Sequence, residues 1–204
     1  MTEARRKRAN GEASRERILD AAAQIAGERG YEGTSISLVS QRSGLPASSI
    51  YWHFDDKDDL IAAVIDRSFT RWAAELDRPV AVPEGARPEE FFRLVLQRTG
   101  SAISRFPDFL RLGLLLILER RPDELSARAK FLEVRRDTAE RISSFYVACF
   151  PALDAVAAGS LVTLTMALAD GLFIAAQVEG LDLGSAFDLM ATAILSAARQ
   201  LGHE

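Results

Sequence analysis

Apolar residues recur at helical spacing along most of this chain. Ile18, Ala21, Ala22 and Ile25 form a stripe at i, i+3, i+4 and i+7, with Ser14 ahead of it as cap and Gly30 behind it as stop. A second, shorter stretch carries Ile36, Leu38 and Val39 and ends at Arg42-Ser43-Gly44; Thr34 or Ser35 can cap it. Pro46 then suits the start of a third helix, Ala47 to Trp52, in which Ile50 and Phe54 lie four apart on the back face. Asp55 to Asp59 opens a fourth, with Asp56 as cap and Leu60, Ile61, Val64, Ile65, Phe69 and Trp72 running along it. Asp77 to Pro88 holds three prolines and a glycine and reads as a loop. Beyond it the pattern predicts helices over 89–106, 107–120, 123–150, 152–179 and 185–201, the second to fourth opening at or beside Pro107, Pro122 and Pro151. No stretch alternates with period two, so an all-α fold of about nine helices follows.

The segment Thr34 to Lys57 organises the rest. Two short helices flank a turn that bears Gly44, a residue free to take the left-handed conformation of a sharp helix exit. The second helix leads with little bulk, Ala47, Ser48 and Ser49, beside the polar-tipped aromatics Tyr51 and Trp52. Such a face suits close approach to a major groove, as in a helix-turn-helix. Spacing alone leaves open two core helices of any all-α domain.

A longer pattern separates the two. Ile18-Leu19-Asp20-Ala21-Ala22, Gly30-Tyr31, Thr34-Ser35, Gly44-Leu45, Ile50-Tyr51, Phe54, Lys57 and Leu60 resemble, in order and offset, the TetR-family repressors. The resemblance covers Ser14 to Leu60, about a quarter of the chain. It implies a three-helix helix-turn-helix DNA-binding domain followed by a helical domain for ligand binding and dimerisation. It further implies that Tyr51 and Lys57 contact phosphates, that Thr34 or Ser35 anchors the DNA backbone, and that Ser48, Ser49 or Trp52 meets bases. Arg42 is a further groove or phosphate candidate, against the alternative of a solvated charge on a helix end. Many relatives have Ser-Lys-Gly where this chain has Pro46-Ala47-Ser48, so Ala47 lacks a phosphate-gripping charge. The domain reading is a basic flexible arm over 1–13, the DNA-binding domain over 14–60, a linking helix over 61–78 and a regulatory domain over 79–204.

Charge adds to this picture. The chain carries a net charge of −4, but up to Phe54 there are eight Lys or Arg against six Asp or Glu, which leaves the acids concentrated in the remainder. A basic end bearing Arg5-Arg6-Lys7-Arg8 on an acidic body fits DNA contact through one end. The single cysteine, Cys149, allows no intrachain disulfide and fits a reducing compartment. The N-terminus lacks the apolar core of a signal peptide. Ala155 to Val178 is membrane-like in length, yet contains Asp170, which favours a buried or dimer-forming helix over a spanning one. A cytoplasmic protein, without a membrane partner, is the expectation.

No catalytic set emerges: two histidines, one cysteine and no glycine-rich phosphate loop assemble no triad, dyad or nucleotide site. Neither a metal nor a cofactor is implied, since His53 has no ligand partners at metal spacing. The resemblance places an effector cavity among Phe91, Phe92, Phe109, Leu112, Leu115, Phe131, Phe145, Met166 and Phe173, with Arg111, Thr165 and Asp170 as polar groups to orient a small molecule. A helix apolar all round with small residues needs a partner, so a two-fold interface is expected at Ala158, Leu161, Leu168, Ala175, Phe187, Met190, Ile194 and Ala198. The resulting expectation is a ligand-responsive repressor, a homodimer on palindromic double-stranded DNA released by an apolar or amphipathic effector. The alternatives are a ligand-independent or architectural DNA-binding protein, and a ligand-binding protein with vestigial DNA function.

Overall fold

The computed structural model describes residues 3–79, 85–118 and 126–202, with side chains from residue 9 onward. The elements are α1 (Glu3–Arg29), α2 (Ile36–Ser43), α3 (Ala47–Tyr51), α4 (Lys57–Leu76), α5 (Pro88–Arg105), α6 (Asp108–Leu118), α7 (Ser126–Cys149), α8 (Ala155–Glu179) and α9 (Leu183–Leu201). Among the described residues, then, all regular structure is helical, in nine elements, as the hydrophobic pattern requires.

The largest departure lies at the N-terminus. Helix α1 begins at Glu3, not near Ser14, so the segment read as a flexible arm has a helical backbone from Glu3 onward. Its Glu, Ala, Arg and Lys are strong helix formers, and Gly11 costs only about 1 kcal/mol against alanine. Ser14 is therefore interior to α1, with Oγ donating back to the Gly11 carbonyl at 2.8 Å. The side chains of Arg5, Arg6, Lys7 and Arg8 lie outside the described residues. So do Pro122 and the helix ends expected at Arg120 and Asp123. The caps of α4, α8 and α9 are Asp56, Asp154 and Asp182, whose carboxylates accept from the amides of Asp59, Ala157 and Ser185. Helix α8 thus starts three residues after the expected Ala152.

The chain packs as two compact units, each of two segments: residues 1–69 with 107–133, and residues 70–106 with 134–204. In the first, Ile18, Leu19, Ala22 and Ile25 of α1 are buried with Val39, Ile50, Phe54, Leu60, Ile61, Ile65, Leu112, Leu116 and Phe131. The hydrophobic α6 belongs here because Phe109 and Phe69 meet edge-on at 5.9 Å. In the second unit, Phe92 stacks on Phe145 and Tyr146 at 5.5 and 6.0 Å, and α9 lies close against α5. That approach depends on Gly100: a Cβ there would sit 2.4 Å from the Leu183 carbonyl oxygen.

One described helix, α8, is long and apolar enough to cross a membrane by length and composition, and 22% of its most apolar window is buried within the chain. Its Asp170 is not unpaired: Arg135 of α7 forms a two-pronged ion pair with it.

Candidate nucleic-acid interface

The helix-turn-helix is built from local hydrogen bonds. Ser35, extended at φ −137°, ψ 153°, caps α2 by accepting from the Leu38 amide at 3.3 Å. Gly44 ends α2 at φ 65°, ψ 24°, the left-handed region. Three side chains then secure the turn. Ser40 Oγ donates to the Leu45 carbonyl at 2.7 Å, Ser43 Oγ accepts from the Leu45 amide at 3.3 Å, and Arg17 Nη2 of α1 donates to the Ser43 carbonyl at 2.6 Å. Pro46, at φ −64°, ψ 152°, feeds α3 without a side-chain cap. None of Arg17, Ser40 and Ser43 was singled out from sequence; two serines within four residues of a turn glycine are the signal that could have found the latter pair.

Helix α3 divides its residues cleanly. Ile50 and Phe54 are buried behind it, while Ser48 is exposed and Ala47 and Ser49 are half-buried. Tyr51 is 57% exposed and Trp52 75% exposed, unusual for side chains of that size. Trp52 stands edge-on to His53, with ring centroids 4.6 Å apart. His53 Nε2 lies 2.9 Å from Ser14 Oγ. Because that hydroxyl gives its one proton to Gly11, it accepts from His53, and the imidazole carries its proton on Nε2. Partial burial lowers the His53 pKa from its ordinary value, and the positive charge of Arg15 adds to this; Glu12 opposes.

Three of the residues expected at DNA have other partners in the structure. Thr34 is 2% exposed, its Oγ1 donating to the Gly30 carbonyl at 2.8 Å, so it holds the α1–α2 turn and Ser35 alone presents a hydroxyl at the α2 start. Arg42 forms a two-pronged contact with Glu28, at 2.6 and 3.0 Å, and that bond is the main cause of the lowered Glu28 pKa. Lys57 Nζ lies 4.1 Å over the Tyr31 ring, donates to the Tyr31 carbonyl at 3.3 Å and pairs with Glu32 at 3.6 Å. Its ammonium stands at the first residue of α4, beside the α1–α2 turn.

The residues expected to wall an effector cavity fall into both units. Within the first, Phe109, Leu112 and Phe131 are core, Arg111 is half-buried and Leu115 is 45% exposed. Within the second, Phe92, Thr165 and Phe173 are core, and Phe91, Phe145 and Met166 are half-buried. Two polar groups expected to orient a ligand are already engaged. Thr165 Oγ1 donates to the Leu161 carbonyl at 2.8 Å and accepts from the Tyr146 hydroxyl, and Asp170 is held by Arg135 at 2.9 and 3.0 Å. Burial pushes the Tyr146 pKa up to about 12 and raises that of the Cys149 thiol. Tyr146 and Arg135 were missed in sequence because their partners lie 19 and 35 residues away.

The residues expected at a two-fold contact divide by burial. Ala158, Leu161, Phe187, Met190, Ile194 and Ala198 are buried within the chain itself, and Leu168 and Ala175 are half-buried. Helix α9 packs closely against α5, and its Phe187, Met190, Ile194 and Ala198 are thereby taken off any outer face. The exposed large apolar residues of these two helices are Val156, Leu164, Ile174 and Val178 of α8 with Leu189 and Leu201 of α9. Gly159 and Gly171 of α8 have open space beyond them.

Comparison with known proteins adds to this geometry. Residues 18–64 match the family described as "Bacterial regulatory proteins, tetR family". The HTH-type transcriptional repressor KstR of Mycobacterium tuberculosis is 31% identical over 93 residues, 46% of this chain and 41% of that protein. The fatty acid metabolism regulator protein of Bacillus subtilis is 24% identical over 117 residues, covering 57% of this chain and 58% of its own. The chain thus spans between two fifths and three fifths of the curated relatives it matches here. Among solved structures, the fatty acid degradation regulator FadR of Bacillus halodurans superimposes with a TM-score of 0.71 over 89% of this chain and 94% of its own, at 16% identity, a likeness of fold.

Proposed function

We propose that this chain, whose residues 18–64 match the tetR family of bacterial regulatory proteins, is a transcriptional repressor that reads DNA through α3. The observation that carries this is the division of α3 and the residues just after it: Ile50 and Phe54 are buried behind, while Ser48, Tyr51 and Trp52 are exposed in front of a pinned turn. Tyr51 and Ser35 hydrogen-bond phosphate oxygens, Ser48, Ser49 and Trp52 meet base edges, and the Ala47 methyl allows close approach. Lys57 adds charge from the α4 start. Arg42 is left to Glu28.

The protein acts as a cytoplasmic homodimer on a palindrome. A second copy covers Val156, Leu164, Ile174, Val178 and Leu189, an apolar face that water otherwise meets. Asp170, neutralised by Arg135 at mid-helix, suits a protein partner for α8 better than lipid. An apolar or amphipathic effector would bind among the half-buried Phe91, Phe145 and Met166 and release the DNA. The names of two relatives, both fatty-acid regulators, make acyl compounds the first class to screen.

Footprinting on DNA upstream of the protein's own gene tests the reading. A protected palindrome that weakens steeply with salt is expected. A folded dimer that protects neither this DNA nor any duplex selected from a random pool would overturn it. The engagement of Thr165 and Asp170 favours a second reading, a DNA-binding protein without an effector. A thermal-shift screen in which no acyl or aromatic compound stabilises the protein would select it.

A further inference from the structure

The first two described residues of α7 are tied to another helix. Asp58, in the first turn of α4, accepts from the amides of Ser126 and Ala127, the latter at 3.3 Å. The same carboxylate accepts from the Tyr31 hydroxyl at 3.2 Å. Tyr31 in turn supports the ammonium of Lys57 with its ring and its carbonyl, and that carbonyl also receives the Thr34 amide at 3.2 Å, one residue before the α2 cap. One turn further along, Lys130 of α7 reaches Asp66 of α4 at 3.6 Å.

We infer that Asp58 is a positioning residue: it fastens the start of α7 to the Tyr31–Lys57 corner, so that any shift of α7 is felt at the entry to the helix-turn-helix. The inference deepens the proposed DNA-binding reading and rests on it for its consequence. A carboxylate needed only to start α4 would face that helix's own amides, and Asp56 already does so. Asp58 instead satisfies donors 68 and 69 residues away and a phenol 27 residues away. Carboxylate geometry suits this, with four lone-pair sites on two oxygens for three donors.

The test compares wild type, Asp58→Asn and Tyr31→Phe in the full chain. Tyr31→Phe keeps the ring beneath Lys57 and removes the hydroxyl that donates to Asp58. Hydrogen exchange comes first and needs no DNA. Asp58→Asn is expected to speed exchange in the α7 first turn about fivefold, the size of a lost cap, and also at residues 34–38. Tyr31→Phe is expected to speed residues 34–38 and leave the α7 start nearly as in wild type. Binding to a duplex selected by the wild type is then expected to change at least about threefold in both variants, at unchanged salt slope. Faster exchange confined to α7, with residues 34–38 unmoved in both variants, would reduce Asp58 to a simple cap and overturn the inference. A wild type that binds no duplex would refute the proposed function and leave the exchange result to decide this one.

Discussion

Arg135 and Asp170 face each other fork to fork, Nη1 to Oδ1 at 3.0 Å and Nη2 to Oδ2 at 2.9 Å, with about a quarter of each side chain exposed. The pair joins α7 to the middle of a predominantly apolar helix, α8. Replacing Asp170 takes the charged partner seen here away from a guanidinium in a half-dry site. Asp170→Asn is therefore expected to lower unfolding free energy by about 1–3 kcal/mol, less than the cost of a fully buried pair because both groups still meet water. The double change Arg135→Met with Asp170→Leu should recover much of that loss in urea unfolding. Equal loss in both would mean that a guanidinium deprived of this carboxylate is not the source of the loss.

Gly44 should tolerate few replacements. At φ 65° an L side chain meets the following carbonyl, so Gly44→Ala is expected to cost about 1–2 kcal/mol. Gly44→Asn should cost less, since asparagine visits this region more readily. Thermal unfolding of the two variants checks the order.

Trp52 predicts a separation of binding from stability. Being 75% exposed, it supports little of the core, and Trp52→Ala is expected to shift stability by no more than about 0.5 kcal/mol. Affinity for the selected duplex should fall roughly tenfold or more. A variant that binds as wild type would move base contact away from this residue.

His53 gives stability a pH dependence of definite sign. Its folded pKa lies below the ordinary 6.5, so the unfolded chain takes up a proton first as pH falls. The stability it contributes is present above the unfolded pKa and is lost as pH drops from about 6.5 toward the lower folded value. Comparing wild type with His53→Gln in denaturant at about pH 7.5 and 5.5 should show a smaller decline in the variant. A parallel decline would assign it to other groups.

The outer face of α8 predicts the state of association. Ile174→Glu places a charge on exposed surface and should leave the monomer folded while abolishing dimers in sedimentation. Phe187→Glu, by contrast, should unfold the chain, because that ring is buried against α5.

The helices and the helix-turn-helix were legible in the sequence because their causes are local. A stripe such as Ile18-Ala21-Ala22-Ile25, a glycine at position 44 and the pair Ile50–Phe54 act within one or two turns of backbone. What the stripes packed against was not. Phe187, Met190 and Ile194 satisfy the requirements of an intrachain core and of a dimer seam equally well, and only the closeness of α5 to α9, permitted by Gly100, decided between them. Charged partners were equally hidden. An Arg or Asp at the surface of a helix reaches in any of several directions, so Arg42 to Glu28, Asp170 to Arg135 and Asp58 to the start of α7 follow from tertiary approach. Sequence by itself determined where the chain coils and which end could read DNA, since propensity and spacing are short-range. The fold decided which of those side chains remain free to do so, since hydrogen bonds and ion pairs form only where distant segments meet.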